Sequence, residues 1–231
     1  AAEALRIADG ATGSAVRLFY PWHEQARAWT HAAAGDEEEG VRVLLTLAAR
    51  LRSDGFHAQE LLALYDVVRL GHPVRAAGRI AELAPKVGGR ATPLLARHAA
   101  AGDDGEAHLA VAREFATLGY QLFAAEAAAG AVRIFRAARD PRAIAASTLL
   151  ADVLARCDLL RTPALMAVQP ALTVRERQVA RLAADGVRSR EIADQLFLSP
   201  RTVENHLQRV YTKLGVNGRN ELAPALRLLP Q

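Results

Sequence analysis

Between residues 200 and 214 the side chains sort onto two faces. Val203, Leu207, Val210 and Leu214 recur at spacings of four, three and four. Arg201, Thr202, Glu204, Asn205, Gln208, Arg209, Thr212 and Lys213 fall opposite them, which predicts an amphipathic helix. The polar face carries the groups that read nucleic-acid bases. The amides of Asn205 and Gln208 can pair with adenine, and Glu204 can accept a hydrogen bond from the cytosine amino group. Arg201, Arg209 and Lys213 flank them as phosphate partners, which set register and supply salt-dependent affinity. The competing reading is a solvated face on an ordinary four-helix bundle. The chain would then be a helical-repeat scaffold for protein interactions, with a terminal bundle that binds no DNA.

Other chemistry finds little support. The seven histidines are scattered, and those in the first two thirds of the chain lack metal-motif spacing with a third ligand. Cys157 is the only cysteine, so neither an internal disulfide nor a cysteine-based zinc site is open to one chain. It reads as a small residue of an alanine-rich helix. No phosphate loop and no nucleophile elbow occur. The sequence therefore calls for no enzyme, no cofactor and no metal. Half of its 231 residues are apolar and only 5% aromatic, which suits packed helices and not a β-sandwich. No apolar run is long enough to span a membrane and no leader opens the chain, so a cytoplasmic protein is expected. The first residue, Ala1, is not methionine, which suggests a piece of something longer.

Charge is uneven along the chain. Residues 1–170 hold 19 basic and 19 acidic side chains, whereas 171–231 hold 10 and 6, so the whole net charge of +4 sits at the end. A neutral body with a basic tail suits a polyanion partner, and charge alone does not separate double-stranded DNA from RNA or a membrane surface.

The elements that must position the reading face are signposted. Thr173 stands three residues before Glu176, a capping box that opens a helix running to Ala184. Asp185-Gly186 ends it. A second helix turns Ile192, Ala193 and Leu196 inward. Ser199-Pro200 then gives a cap followed by proline at the first helical position. Gly215 ends this third helix, and a short fourth one holds Leu222, Leu226 and Leu229. Two short helices joined by a tight turn, the second polar outside, describe a helix-turn-helix.

The string from Leu172 to Leu222 resembles the C-terminal DNA-binding domain of LuxR-type regulators. The matching pieces are LTxRE, REIAxxL, SxxTVxxH and a basic residue before Leu-Gly-Val. The resemblance implies that the helix after Ser199 enters the major groove. Glu204, Asn205 and Gln208 then fall where base contacts occur, and Thr202, Arg209 and Lys213 where backbone contacts occur, with Ser199 and Arg201 beside them. His206 matches a common family histidine, open to a phosphate contact or to partial burial. The resemblance also implies a homodimer through the last helix. Two positions depart from the pattern. Arg188 replaces the usual serine or threonine three residues before Glu191, costing about 1 kcal/mol unless Ser189 caps instead; Arg188 is then an expected phosphate contact. Pro224 removes an amide from the last helix, so that helix must begin later or kink.

Residues 1–158 read as helix after helix, with breaks at Asp36, His72, Asp103 and Asp140 spaced 36, 31 and 37 residues apart. That brackets the roughly 34-residue period of helical-hairpin repeats, so a TPR-like array is expected. Asp103 and Asp140 are read as caps, with Pro141 as a first helical residue. The run Asp36-Glu37-Glu38-Glu39 complements a helix start rather than binding a cation. Phe19, Tyr20, Trp22 and Trp29, at helical spacing, are expected in the core rather than in a groove. Residues 159–170, with Pro163 and Pro170, read as a tether. The expectation is an all-α chain: repeat array 1–158, tether 159–170 and helix-turn-helix domain 171–231. It would be a transcription regulator whose array takes a protein or small-molecule effector. This order is similar to the C-terminal half of large MalT-like LuxR regulators, and the missing phosphate loop and methionine fit a fragment cut after their nucleotide-binding module.

Overall fold

The computed structural model describes residues 19–157, 162–168, 172–214, 216 and 218–227, and all regular structure among them is helical. Helices α1 (Tyr20–Ala33), α2 (Glu37–Ser53), α3 (His57–Arg69), α4 (Ala77–Val87), α5 (Thr92–Ala100), α6 (Gly105–Thr117), α7 (Gln121–Ala137) and α8 (Ala143–Leu154) follow one another. Short breaks separate them, and a 3-10 turn at Pro73–Arg75 precedes α4. Each helix packs mainly on its sequence neighbours, and α1 also meets α3, α3 meets α5, and α6 meets α8. No helix of the described residues is long and apolar enough to cross a membrane.

The break chemistry is largely as the sequence implies. Asp36 caps α2 by accepting the Glu39 amide at 3.2 Å, which places the acidic run on the positive end of that helix. Three details differ. Asp104, and not Asp103, caps α6, taking the amides of Glu106 and Ala107 at 2.9 and 3.0 Å. Asp140 accepts the Arg142 amide and also binds the Arg142 guanidinium. That closes a turn ahead of the helix, so α8 begins at Ala143 and Pro141 lies before it. Cys157 falls just past the end of α8.

The main core runs through Leu44, Leu47, Leu61, Tyr65, Ile80, Leu83, Leu109 and Phe115, all fully buried. Helix α7 explains much of the alanine content. Ala124, Ala125, Ala127, Ala128, Ala129 and Ala131 are all buried, because α6, α8 and a later helix press on it from several sides. Close approach also fixes Gly130, where a Cβ would lie 2.7 Å from His108 Nδ1.

A polar network threads this apolar stack. The Arg69 guanidinium donates to both Glu126 oxygens at 2.8 and 3.0 Å and to Asp66 at 2.7 Å, while Gln25 donates to Asp66 at 2.8 Å. Burial pushes the Glu126 carboxyl above its usual value even against Arg69. The Tyr65 hydroxyl lies 2.7 Å from His98 Nδ1. Burial, aided by His108 and Arg69, lowers the His98 pKa to about 3. The imidazole is thus neutral and shares one hydrogen bond with the hydroxyl.

The aromatic expectation divides. Tyr20 and Trp29 pack against the core, Trp29 beneath Arg69 at 4.5 Å. Phe19 and Trp22 do not: they are 56% and 55% exposed and touch each other with centroids 5.5 Å apart. Among the described residues α1 packs on α2 and α3, and these two rings lie outside that contact.

Within the stretch read as a tether, α9 (Pro163–Val168) packs on α7 with Leu165 and Val168 in the main core. Arg136 of α7 donates to the Val168 carbonyl at 3.1 Å, holding the end of α9. Pro163 is compatible with this because it is the first residue of the helix.

A second core gathers Leu172, Val179, Ala180, Ala183, Ile192, Ala193, Val203, Leu207, Val210 and Leu222. Its helices are α10 (Val174–Ala184), α11 (Ser189–Leu196), α12 (Pro200–Leu214) and, after a 3-10 turn at Arg219–Glu221, α13 (Leu222–Arg227). The late start of α13 puts position 224 in its first turn, where an amide has no intrahelical acceptor to lose. Gly215 and Leu229 lie outside the described residues.

Candidate nucleic-acid interface

The interface is built from the start of α10. Thr173 and Glu176 form the expected capping box: the Glu176 amide donates to Thr173 Oγ1 at 3.2 Å, and the Thr173 amide to Glu176 Oε2 at 2.8 Å. The same carboxylate receives Lys213 Nζ at 2.6 Å, so the first turn of α10 is bolted to the last turn of α12. Burial works against the charge on Glu176, but Lys213 and Thr173 outweigh it and hold the carboxyl below its usual value.

Helix α11 begins with half a box. The Arg188 amide donates to Glu191 Oε2 at 3.2 Å, but a guanidinium has no acceptor to return the bond. Ser189 is the first residue of α11 and supplies no cap. The guanidinium of Arg188 is exposed and free to face outward.

The turn into α12 is three residues long, Phe197 to Ser199. Phe197 takes the left-handed conformation (φ 53°, ψ 47°) with its ring 95% exposed. The Leu198 amide returns to the Ala193 carbonyl at 2.9 Å. Arg175 of α10 crosses to this point and donates from Nη2 to the Leu196 carbonyl at 2.8 Å. Ser199 then caps α12, its Oγ accepting the Thr202 amide at 3.1 Å and lying 2.8 Å from Thr202 Oγ1.

Val203, Leu207 and Val210 anchor α12, and the opposite side is open. Arg201, Glu204, Asn205, Gln208 and Arg209 are exposed and form one stripe; none spends a side-chain hydrogen bond or ion pair on another described residue. Thr202 is half-buried beside Ser199 and shares its cap. His206 is half-buried, with Nδ1 enclosed and unpartnered. Lys213 sits at the end of the stripe with its charge already on Glu176. The structure thus brings eight of the nine sequence-predicted residues onto α12 and its cap, with Arg188 alone just ahead of α11. Sequence reasoning missed Arg175 and the Glu176–Lys213 bolt. The Arg-Glu pair of the LTxRE motif was the available signal, read there only for its cap.

The description "Bacterial regulatory proteins, luxR family" matches residues 170–225. The spore germination protein GerE of Bacillus subtilis is 45% identical over 53 residues, which are 23% of this chain and 72% of that protein. A putative HTH-type transcriptional regulator of Mycobacterium tuberculosis is 51% identical over 51 residues, 22% of this chain. The transcriptional regulatory protein UhpA of Escherichia coli is 51% identical over 55 residues, 24% of this chain and 28% of that protein. With capped helices, a three-residue turn and these relatives, the chain belongs to the luxR family of bacterial regulatory proteins. The matched segment spans only 6% of the length of the mycobacterial relatives. No solved structure matches the chain.

Proposed function

We propose that this protein is a DNA-binding transcription regulator of the cytoplasm that acts by binding, without making or breaking covalent bonds. Helix α12 would lie in the major groove. Glu204, Asn205 and Gln208 would read base edges, and Arg188, Ser199, Arg201, Thr202 and Arg209 would meet the backbone. Lys213, which the resemblance matches to a backbone contact, would instead hold the end of α12 through Glu176. The observation that carries the reading is the exposed, unspent stripe on a helix whose other face is anchored in a core. The relatives' names, as transcriptional regulators, support it.

In this reading residues 171–231 form the DNA-reading unit, 159–170 connect it, and 1–158 form a repeat array that takes an effector or a partner protein. Two copies would engage half-sites about one helical turn apart. Selection of duplexes from a random pool, followed by titration at low and high salt, tests the reading. An enriched sequence bound with salt-sensitive affinity is expected. Absence of any salt-sensitive binding would overturn it in favour of a protein-interaction scaffold.

A further inference from the structure

We propose that Arg175 is a positioning residue for base reading: its guanidinium clamps the turn between α11 and α12 and so fixes how the reading helix is presented. The inference rests on the DNA-reading function proposed above and names a residue outside the reading stripe. A helix end leaves its last carbonyls without intrahelical donors. At the end of α11 the carbonyl of Leu196 is taken by Arg175 Nη2 at 2.8 Å, from a helix 21 residues earlier in the chain. The other arm of the fork, Nη1, donates to Gln178 Oε1 at 3.1 Å, which keeps the guanidinium in place over its own helix.

The clamp acts where the backbone most needs holding. Phe197, the next residue, has a Cβ in a left-handed conformation that L-residues adopt at a cost. Its ring is almost wholly in solvent, so ring packing does not offset that cost. Two residues later Ser199 opens α12. A relaxation of Phe197 toward an ordinary conformation would therefore swing the first two turns of α12, where Arg201, Glu204 and Asn205 stand. Base pairing by side-chain amides tolerates displacements of only about half an ångström, whereas long arginine arms can follow a phosphate. Loss of the clamp thus harms discrimination more than general affinity.

The experiment compares the full chain with Arg175→Gln, Arg175→Lys, Phe197→Gly and the Arg175→Gln/Phe197→Gly pair on the selected duplex and on random duplex. Arg175→Gln is expected to lower the ratio of selected to random affinity about tenfold, the scale of one lost base contact, with the salt slope unchanged. Arg175→Lys, which keeps a donor, should recover part of that ratio. Glycine at 197 removes the strain the clamp opposes, so Phe197→Gly should blunt the effect of Arg175→Gln, a non-additivity the cycle reads directly. A uniform loss on both duplexes, with a salt slope smaller by about one, would show a phosphate contact and overturn the proposal. Additive effects of the two substitutions would overturn it too. If the unaltered chain binds no duplex, the DNA-reading function falls, and hydrogen exchange judges the clamp alone. Arg175→Gln must then speed exchange across residues 196–203 while α10 stays protected, and equal protection there would refute the clamp.

Discussion

Replacing Lys213 by methionine separates two roles that its place on α12 allows. The aliphatic stem is kept and the charge removed. In the structure Nζ lies 2.6 Å from a carboxylate that is only 5% exposed and already holds the start of α10. A hydrogen bond between charged groups contributes about 1.5–3 kcal/mol. The lysine side chain is 36% exposed, so water screens the pair. The expected loss is then about 1–2 kcal/mol, which is about a tenfold faster opening of α12 amides. Hydrogen exchange on peptides from α10 and α12 measures this in the full chain. The effect carries a pH signature. The Glu176 carboxyl is held below its ordinary 4.5, so its contribution is fully present above that value and fades as pH falls through the depressed folded-state value. The gap between Lys213→Met and the parent should close in acid. The slope of log affinity against log salt should stay unchanged, since each lost phosphate contact would lower it by about 0.9. Undisturbed exchange together with a slope reduced by about one would place Lys213 on the DNA backbone and refute the argument.

Other substitutions test the rest of the molecule. Gln208→Ala should change which bases are selected, whereas Arg209→Ala should weaken binding to all duplexes and reduce the salt slope by about 0.9; identical losses on every sequence from both would displace the reading face. Arg69→Met leaves Glu126 buried without its bidentate partner and should cost about 3–5 kcal/mol, followed in denaturant by the fluorescence of Trp29, which lies against Arg69. A loss under 1 kcal/mol would show that the network bears little of the fold. Because the folded-state pKa of His98 is lowered to about 3, unfolding takes up its proton below the ordinary 6.5. Stability is therefore complete above pH 6.5 and should fall by about 1.4 kcal/mol per unit as pH drops toward 3. His98→Gln should remove that part of the slope in acid-unfolding curves, and an unchanged slope would contradict the assignment.

The helix-turn-helix unit was legible because its signals are local. Thr173 to Glu176, Ser199 to Pro200 and the spacing of Val203, Leu207, Val210 and Leu214 each lie within one or two helical turns. What was missed joins distant residues: Arg175 to Leu196, Glu176 to Lys213 and Arg69 to Glu126, separated by 21, 37 and 57 positions. Periodicity carries no record of such pairs. Helical spacing put Trp22 in the core, but spacing gives a face and not what covers it. Nothing in the sequence marks Phe197, and only the turn geometry sends its ring into solvent. The caps shifted by one residue at Asp104, because adjacent aspartates offer the same chemistry and local geometry picks one.

Seating α9 on α7 sets the length of a leash. From Val168 to Thr173 the chain can reach at most about 18 Å, however those residues are arranged. Measured from Leu154, with α9 unseated, the limit would be about 65 Å. The volumes bounded by the two limits differ by about fiftyfold, and effective concentration scales inversely with such a volume. Arg136, by gripping the end of a six-residue helix, thereby limits how far the helices after Thr173 can stand from α7.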